Sequence, residues 1–161
     1  MSANGEGLGR VLTVALGLCL VCSVVVSTAA VLLKPAQQAN KTLDLKRNIL
    51  MAAGLLDPSR SVEEQFEQVE TRIVNLDAGQ FVDGVDPAVF DQREAAKDPA
   101  RSRPIPNDED AAKLVRREDQ ALVYLVRTGR GDLDKIILPI RGYGLWSTLY
   151  GFMALESDGN T

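Results

Sequence analysis

The hydrophobic pattern of the chain begins with an uninterrupted apolar run over residues 11–33. This 23-residue run carries no charged side chain and is bounded by Arg10 and Lys34. As a helix it would rise about 34 Å at 1.5 Å per residue, and a bilayer core needs about 20 residues. It is longer than the apolar core of a cleavable signal peptide, although residues 27–29 (Ser-Thr-Ala) would form a tolerable cleavage site. The pattern therefore favours an uncleaved transmembrane anchor.

Helical periodicity resumes after Pro35. Apolar residues recur there at helical spacing and fall near one face: Leu43, Ile49, Leu50 and Ala53. Gly54 and then Pro58 are stop signals for this helix. Ser61 and Glu64 have the spacing of a capping box, in which a hydroxyl accepts from the backbone three residues on and a glutamate reaches back. They predict a second, short helix that ends near residue 69.

Strand patterns alternate with a long polar segment in the middle of the chain. Residues 71–76 are rich in β-branched side chains and predict a strand. Residues 77–110 contain four prolines, many charges and few large apolar residues, which predicts a surface excursion with a helical turn near residues 89–96. Its charges are expected to face water, and docking of a partner subunit is the alternative.

The last part of the chain predicts three strands, over residues 120–127, 135–140 and 147–155. The first and the last carry apolar residues on both faces, which indicates burial on both sides. Residues 128–132 have the composition of a turn, and Asp158-Gly159 is a strong hairpin signal. No returning strand follows it in the sequence. Since unpaired strand edges are costly, we expect the chain to be a fragment of a longer protein, or its ordered part to stop here.

Composition excludes several classes of function. Net charge is −4, with 18 basic and 22 acidic residues, and no basic cluster outweighs its acidic neighbours, so no nucleic-acid partner is predicted. The absence of histidine excludes the Ser-His-Asp and Cys-His arrangements and the usual zinc sets. Cys19 and Cys22 are the two cysteines, and both lie in the apolar run, where they are expected to be small hydrophobic side chains. No metal site and no catalytic residue is predicted.

The stretch LPIRGYGLWSTLYGFMAL, residues 138–155, is the most informative part of the sequence. It holds four of the eight aromatic residues and three glycines. Glycine permits unusual backbone conformations and close approach, and aromatic side chains supply flat apolar surface. A bend over residues 142–146 is predicted. A planar ligand, and a strand that enters the core through a glycine bend, both fit this pattern.

This stretch, the anchor and the segment KTLDLKRNILMAAGL together resemble the NqrC family, which belongs to the bacterial sodium-translocating NADH:quinone reductase. The RnfG family of the Rnf-type electron-transport complexes shares the general plan and is the first alternative. The resemblance implies an α+β fold with a single N-terminal transmembrane helix and a partial FMN-binding domain, whose mixed or antiparallel sheet has flanking helices. The corresponding divisions are a tail over residues 1–10, the transmembrane helix over 11–33 and the FMN-binding domain over 34–161, incomplete at its C-terminus.

The resemblance implies a cofactor, FMN, joined covalently to a threonine in a Ser-x-Ala-Thr motif. Residues 27–30 have the wrong order for this motif, and Ser147-Thr148 is followed by Leu149. The attachment threonine is therefore expected beyond Thr161. Within this chain, Tyr143, Leu145 and Trp146 are the candidate neighbours of the flavin, and packing in the domain core or at an interface between subunits is the alternative.

The resemblance also implies the role, the partners and the location. The protein would relay electrons in a six-subunit complex that transfers them from NADH to ubiquinone with sodium export, without being catalytic alone. Its partners would be the other subunits and membrane lipid, while NADH, quinone and sodium bind elsewhere. Basic residues after the anchor favour a cytoplasmic domain, but long domains weaken this rule. The resemblance places the domain on the periplasmic side of the inner membrane. A membrane-anchored scaffold without a cofactor is the other alternative.

Overall fold

The computed structural model describes the backbone of residues 5–160 and the side chains of residues 7–160. The described chain divides into two units between Asp44 and Leu45. The first four residues of the predicted N-terminal tail, and Thr161, lie outside the described residues. The rest of the predicted tail is helical, because helix α1 already begins at Gly5.

Helix α1 runs from Gly5 to Ala52 and includes both predicted helices in one element. Pro35 lies inside it and does not interrupt it. Proline lacks an N–H donor, so one helical hydrogen bond is missing there. Over residues 7–33 the apolar side chains are exposed on all sides of the helix. It is the one helix of the described residues that is long and apolar enough to span a membrane.

A glycine ends α1 as predicted. Gly54 has a φ of +69° and its N–H donates to the carbonyl of Met51, while Leu55 N–H donates to the carbonyl of Leu50. These two bonds are those of a Schellman cap, which needs a left-handed residue at this position. Helix α2 follows over Val62–Phe66, and Ser61 Oγ accepts from Glu64 N–H at 3.2 Å. The reciprocal half of the predicted capping box differs, because the Glu64 carboxylate accepts from Arg60 instead.

The larger unit is built on a five-stranded sheet in which every neighbouring pair is antiparallel. Its strands are β1 (Val69–Asn75), β2 (Gln80–Phe81), β5 (Gln120–Arg127), β6 (Leu133–Tyr143) and β7 (Thr148–Glu156), in the order β2-β1-β5-β6-β7. The expected α+β class is confirmed. The central strand β5 has the predicted bounds, and residues 123–126 are buried in it, since both faces are covered.

The predicted surface excursion contains more structure than its composition indicated. It holds helix α3 (Gln92–Lys97), the short strand β2, and strand β3 (Ser102–Pro104), which pairs with β4 (Arg116–Glu118) just beyond it. Helix α3 begins at an Asp91 cap, whose carboxylate accepts from two backbone N–H groups. Ala95 and Ala96 are buried on its inner side. Helix α3 corresponds to the helical turn predicted near residues 89–96. Strands β2 and β3 were missed because they are short and polar, and tertiary contacts rather than local pattern stabilise them.

The core lies between one face of the sheet and the end of α1. Ile49 and Leu50 have no exposed surface. They pack with Ala53 against strand residues in a single cluster that also includes Val69, Tyr124, Val126 and Ile137. The Tyr124 ring makes edge contacts with Phe66 and Phe152 at centroid distances of 6.5 and 5.9 Å. Burial raises the pKa of the Tyr124 hydroxyl, because the phenolate would lose its hydration.

Candidate functional site

The stretch of residues 138–155 forms a β-hairpin at one edge of the sheet. Strand β6 does not bend at Gly142 as predicted; it continues to Tyr143, and the chain reverses over residues 144–147. Gly144 N–H donates to the carbonyl of Ser147 at 2.9 Å and closes this turn. The register then runs from Tyr143 opposite Thr148 to Lys135 opposite Glu156. The bend was placed too early because the long β6–β7 pairing holds Gly142 in extended backbone.

Close contacts favour glycine at residue 144. A Cβ built there would lie 2.9 Å from Leu149 Cγ and 3.1 Å from the Ser147 carbonyl oxygen. Its φ is not in the left-handed region, so close approach rather than backbone conformation favours glycine. Gly142 and Gly151 have ordinary space around them, with nearest atoms at 3.9 and 3.7 Å. Of the three glycines in the stretch, only Gly144 therefore determines the shape of the turn.

The hairpin tip carries the three predicted site residues, and all of them are exposed. The exposed fraction is 60% for Tyr143, 88% for Leu145 and 91% for Trp146. None of the three belongs to the core cluster of the described residues, and both alternatives for them stay predictions. Leu149 and Tyr150 on β7 are exposed as well. By register Tyr143 and Tyr150 lie on one face of the hairpin and Leu149 on the other, with Leu145 and Trp146 in the turn between the strands. We call the exposed side chains of Tyr143, Leu145, Trp146 and Tyr150 the hairpin surface.

A cavity of about 390 Å³ lies beside the hairpin, between the last turns of α1 and strand β7. Its lining consists of Asn48, Met51, Ala52, Tyr150, Gly151 and Phe152. Tyr150 belongs to both the cavity and the hairpin surface, whereas Tyr143, Leu145 and Trp146 do not line the cavity. The guanidinium carbon of Arg93 on α3 lies 3.8 Å from the centroid of the Tyr150 ring, a cation–π contact that orients this ring.

The chemistry of the hairpin surface suits a flat, largely apolar ring. Aromatic side chains stack on such rings, and Tyr and Trp add a polar atom at the edge. The described residues fit one wall of a flavin site, because the hairpin surface is open rather than enclosed. The same surface would also suit a protein partner, since aromatic side chains are enriched at interfaces.

A buried polar cluster supports the base of the hairpin. Arg141 on β6 donates through Nη2 to Glu118 Oε2 at 2.5 Å, and Gln92 Nε2 donates to Glu118 Oε1 at 2.6 Å. Sequence reasoning missed this cluster, because the Arg141–Glu118 pair joins residues 23 positions apart. The arginine of the RGYGLWS stretch was the one signal in the sequence, and it is not specific.

Comparison with known proteins connects this fold to one family. No protein-family model matches the chain. It is 52% identical over 163 residues to the NqrC protein of the Na(+)-translocating NADH-quinone reductase of Pseudomonas aeruginosa, covering 99% of this chain and 62% of that protein. It is 46% identical to the corresponding protein of Vibrio campbellii, covering the whole chain and 63% of that protein.

A solved structure agrees with the sequence comparison. The crystal structure of Shewanella oneidensis NqrC matches with a TM-score of 0.68 and 35% sequence identity, covering 76% of this chain and 57% of that one. The chain belongs to the NqrC family of Na(+)-translocating NADH-quinone reductases. The resemblance drawn from residues 138–155 and the anchor is thereby confirmed.

Membership of the NqrC family also fixes what part of such a protein is described. The chain spans about 62% of the length of the relatives it matches. The fold expected for the family, a long apolar N-terminal helix followed by an antiparallel sheet domain, is present in this chain. The place of Tyr143, Leu145 and Trp146 in a flavin site stays a prediction.

Proposed function

We propose that this chain is part of the NqrC component of a sodium-exporting NADH:ubiquinone reductase, in which it helps to hold a covalently bound FMN that relays electrons. The observation that supports this most is the 52% identity to an NqrC protein along 99% of the chain. The exposed aromatic hairpin surface is a second support, because it offers a flat wall for a ring system. The protein would contribute to the electron path without being catalytic alone.

Because the flavin would carry out the redox chemistry, the protein needs few reactive side chains. Flavin supplies the one- and two-electron chemistry, while the protein supplies binding, orientation and electrostatic tuning. In this proposal Trp146, Tyr143 and Leu145 cover one side of the ring and exclude water from it. The phosphate would be esterified to a threonine beyond Thr161. NADH, quinone and sodium would bind to other subunits, in keeping with the lack of charged residues in the membrane-spanning run.

Covalent flavin is the direct test of the proposed function. The protein expressed from its complete gene should fluoresce under ultraviolet light after denaturing electrophoresis, because a phosphoester survives denaturation. The complete gene should also encode a Ser-x-Ala-Thr motif after residue 161. A complete protein without the motif and without bound flavin would favour the scaffold alternative, in which the exposed Leu145 and Trp146 serve contacts with other subunits.

The proposed contact between the hairpin tip and the flavin ring can be tested separately. Replacement of Trp146 by Ala should change the flavin midpoint potential and visible circular dichroism, because it removes the largest flat side chain at the tip. Phe81→Ala is the matched control, since Phe81 is a half-exposed aromatic residue on β2 at the opposite edge of the sheet. A Trp146→Ala protein that folds and keeps its flavin with an unchanged potential would contradict this part of the proposal.

The proposed location is the bacterial inner membrane, with a single anchor and the soluble domain in the periplasm. The apolar helix supports anchoring, and the side of the membrane can be tested by labelling. In a protein without Cys19 and Cys22, a Val89→Cys variant should react with an impermeant thiol reagent added to intact cells, because Val89 is exposed. A Ser2→Cys variant should be protected. The reverse labelling pattern would place the domain in the cytoplasm.

A further inference from the structure

The Arg141–Glu118 ion pair is much less exposed than the surface ion pairs of this domain. The exposed fraction of the side chain is 19% for Arg141 and 7% for Glu118. In the surface pairs Arg60–Glu64 and Lys135–Glu156, the side chains are 28–57% exposed. A buried ion pair often adds little net stability, because desolvation offsets the attraction, but it can specify one arrangement of the chain. The elements that this ion pair connects therefore say more about its role than its contribution to stability does.

The cluster around this pair joins four elements. Glu118 lies on β4, Arg141 on β6, and Gln92 on α3 donates to the second carboxylate oxygen of Glu118. The Gln92 side-chain oxygen accepts from Leu122 N–H of β5 at 3.0 Å, and Arg141 Nη2 also donates to the carbonyl of Arg116 at 3.0 Å. Among the described residues, no buried side-chain nitrogen or oxygen lacks a partner. Every buried polar atom of the cluster therefore has a hydrogen-bond partner, and the cluster can hold its four elements in one fixed arrangement.

The cluster lies beside the part of β6 that extends beyond its pairing with β5. Pairing between β5 and β6 ends at Tyr124 opposite Ile137, whereas β6 pairs with β7 as far as Tyr143. Over residues 138–143, the segment before β5 contacts β6 through one backbone hydrogen bond and the side chain of Arg141. Tyr143 N–H donates to the carbonyl of Ala112 at 2.9 Å, two residues beyond the Arg141 contacts.

We propose that Arg141 and Glu118 are positioning residues, which fix the hairpin tip and hold Tyr143, Leu145 and Trp146 against the flavin ring. The proposal rests on the proposed function, since it assigns the flavin as the group that these side chains cover. The two charged residues act through the hairpin rather than by touching the ring. Nη2 of Arg141 donates to both a carboxylate oxygen and a backbone carbonyl of the β4 segment, which fixes the position of β6 more strictly than one bond would.

The test uses the protein expressed from its complete gene, with three variants: Arg141→Gln, Glu118→Gln, and the double variant. Each single variant leaves one buried charge without its partner, which is strongly destabilising. The double variant leaves no unpaired charge and so remains folded where a single variant fails. Lys135→Gln is the matched control, because the Lys135–Glu156 pair is an exposed ion pair between the two hairpin strands, β6 and β7, at the end away from the tip.

Two readouts report on the hairpin tip rather than on folding. The first is the visible circular dichroism of the flavin, which depends on how the ring is held. The second is acrylamide quenching of Trp146, the only tryptophan among these 161 residues, measured as the difference from the same protein with Trp146→Phe. Far-ultraviolet circular dichroism and the thermal midpoint monitor folding separately.

The double variant should lose most of the visible circular dichroism and show a several-fold rise in the quenching of Trp146, while its far-ultraviolet spectrum stays that of the parent. Lys135→Gln should keep both signals. A folded double variant with the parent's flavin signal and Trp146 quenching would overturn the positioning role. A parent protein without flavin would instead overturn the proposed function, so the two failures are distinguishable.

Discussion

Glycine serves two different purposes at the turns of this domain. Gly131, in the turn between β5 and β6, has a φ of +89°, a conformation that other residues adopt only with strain. Gly144, in the hairpin tip, has no such φ, but a Cβ there would contact the Leu149 side chain at 2.9 Å and the Ser147 carbonyl at 3.1 Å. The sequence shows both simply as glycine in a turn. The physical reason for each depends on backbone angles and neighbours that only the folded chain defines.

The conformational requirement predicts a contrast within one turn. Gly131→Ala should lower the free energy of unfolding by about 1–2 kcal/mol, because Ala is disfavoured in the left-handed region. Gly129→Ala should be neutral or stabilising by about 0.4–1 kcal/mol, since residue 129 has no positive φ and open space around it. Denaturant unfolding of the two variants measures the difference. Equal effects of both substitutions would refute the requirement at residue 131.

Helices and strands were predicted well where their pattern is local. Strand β5 has the predicted bounds, and α1 ends at the predicted glycine. Strand β6 extends to Tyr143, three residues beyond its predicted end at 140, because its long pairing with β7 stabilises it there. The expectation that the last strand is buried on both faces is wrong, because β7 lies at an edge and has no fully buried residue.

The connection between α1 and α2 depends on one buried amide. Gln65 accepts from Asp57 N–H at 2.7 Å, and its Nε2 donates to the carbonyls of Asp57, Arg60 and Ser61. Its side chain therefore satisfies backbone groups that the turn leaves without partners. A nonpolar side chain of similar size would leave these groups buried and unpaired.

We expect Gln65→Leu to lower the free energy of unfolding by about 2–3 kcal/mol, because buried backbone groups lose their hydrogen bonds. Gln68→Leu is the control on the next turn, where the side chain is exposed. Its effect should stay within about 0.5 kcal/mol. Thermal unfolding followed by circular dichroism compares the two variants, and a Gln65→Leu protein as stable as the control would show that water replaces the amide.

At the scale of the whole molecule, the chain combines a helix covered by exposed apolar side chains with a sheet domain that has its own core. The apolar run needs a nonpolar surrounding, since every one of its large side chains that is described is more than half exposed. The outer face of strands β6 and β7 is also apolar. Ile140, Leu149 and Met153 share that face by register and are all exposed.

Membrane anchoring by the apolar run can be tested by introducing charged residues into it. A protein with both Val21→Lys and Val25→Lys should be released from membranes by alkaline carbonate, because each lysine at the centre of a spanning helix costs about 2.5–3.5 kcal/mol. The control carries Gln37→Lys and Asn40→Lys, two exposed positions of α1 outside the run. It should stay in the membrane pellet. Equal retention of both proteins would mean that the run does not span the bilayer.

The sequence by itself determined the apolar run, the central strand, the glycine that ends α1 and the family. Each of these depends on neighbouring residues: hydropathy summed over the span, alternation within one strand, a glycine after a helix, or a specific run of letters. Only the tertiary structure decided the strand order, the turn at Gly144 and the pairing of Arg141 with Glu118. Those features join residues that are distant in the chain, and their energies depend on register and burial, which local patterns do not record.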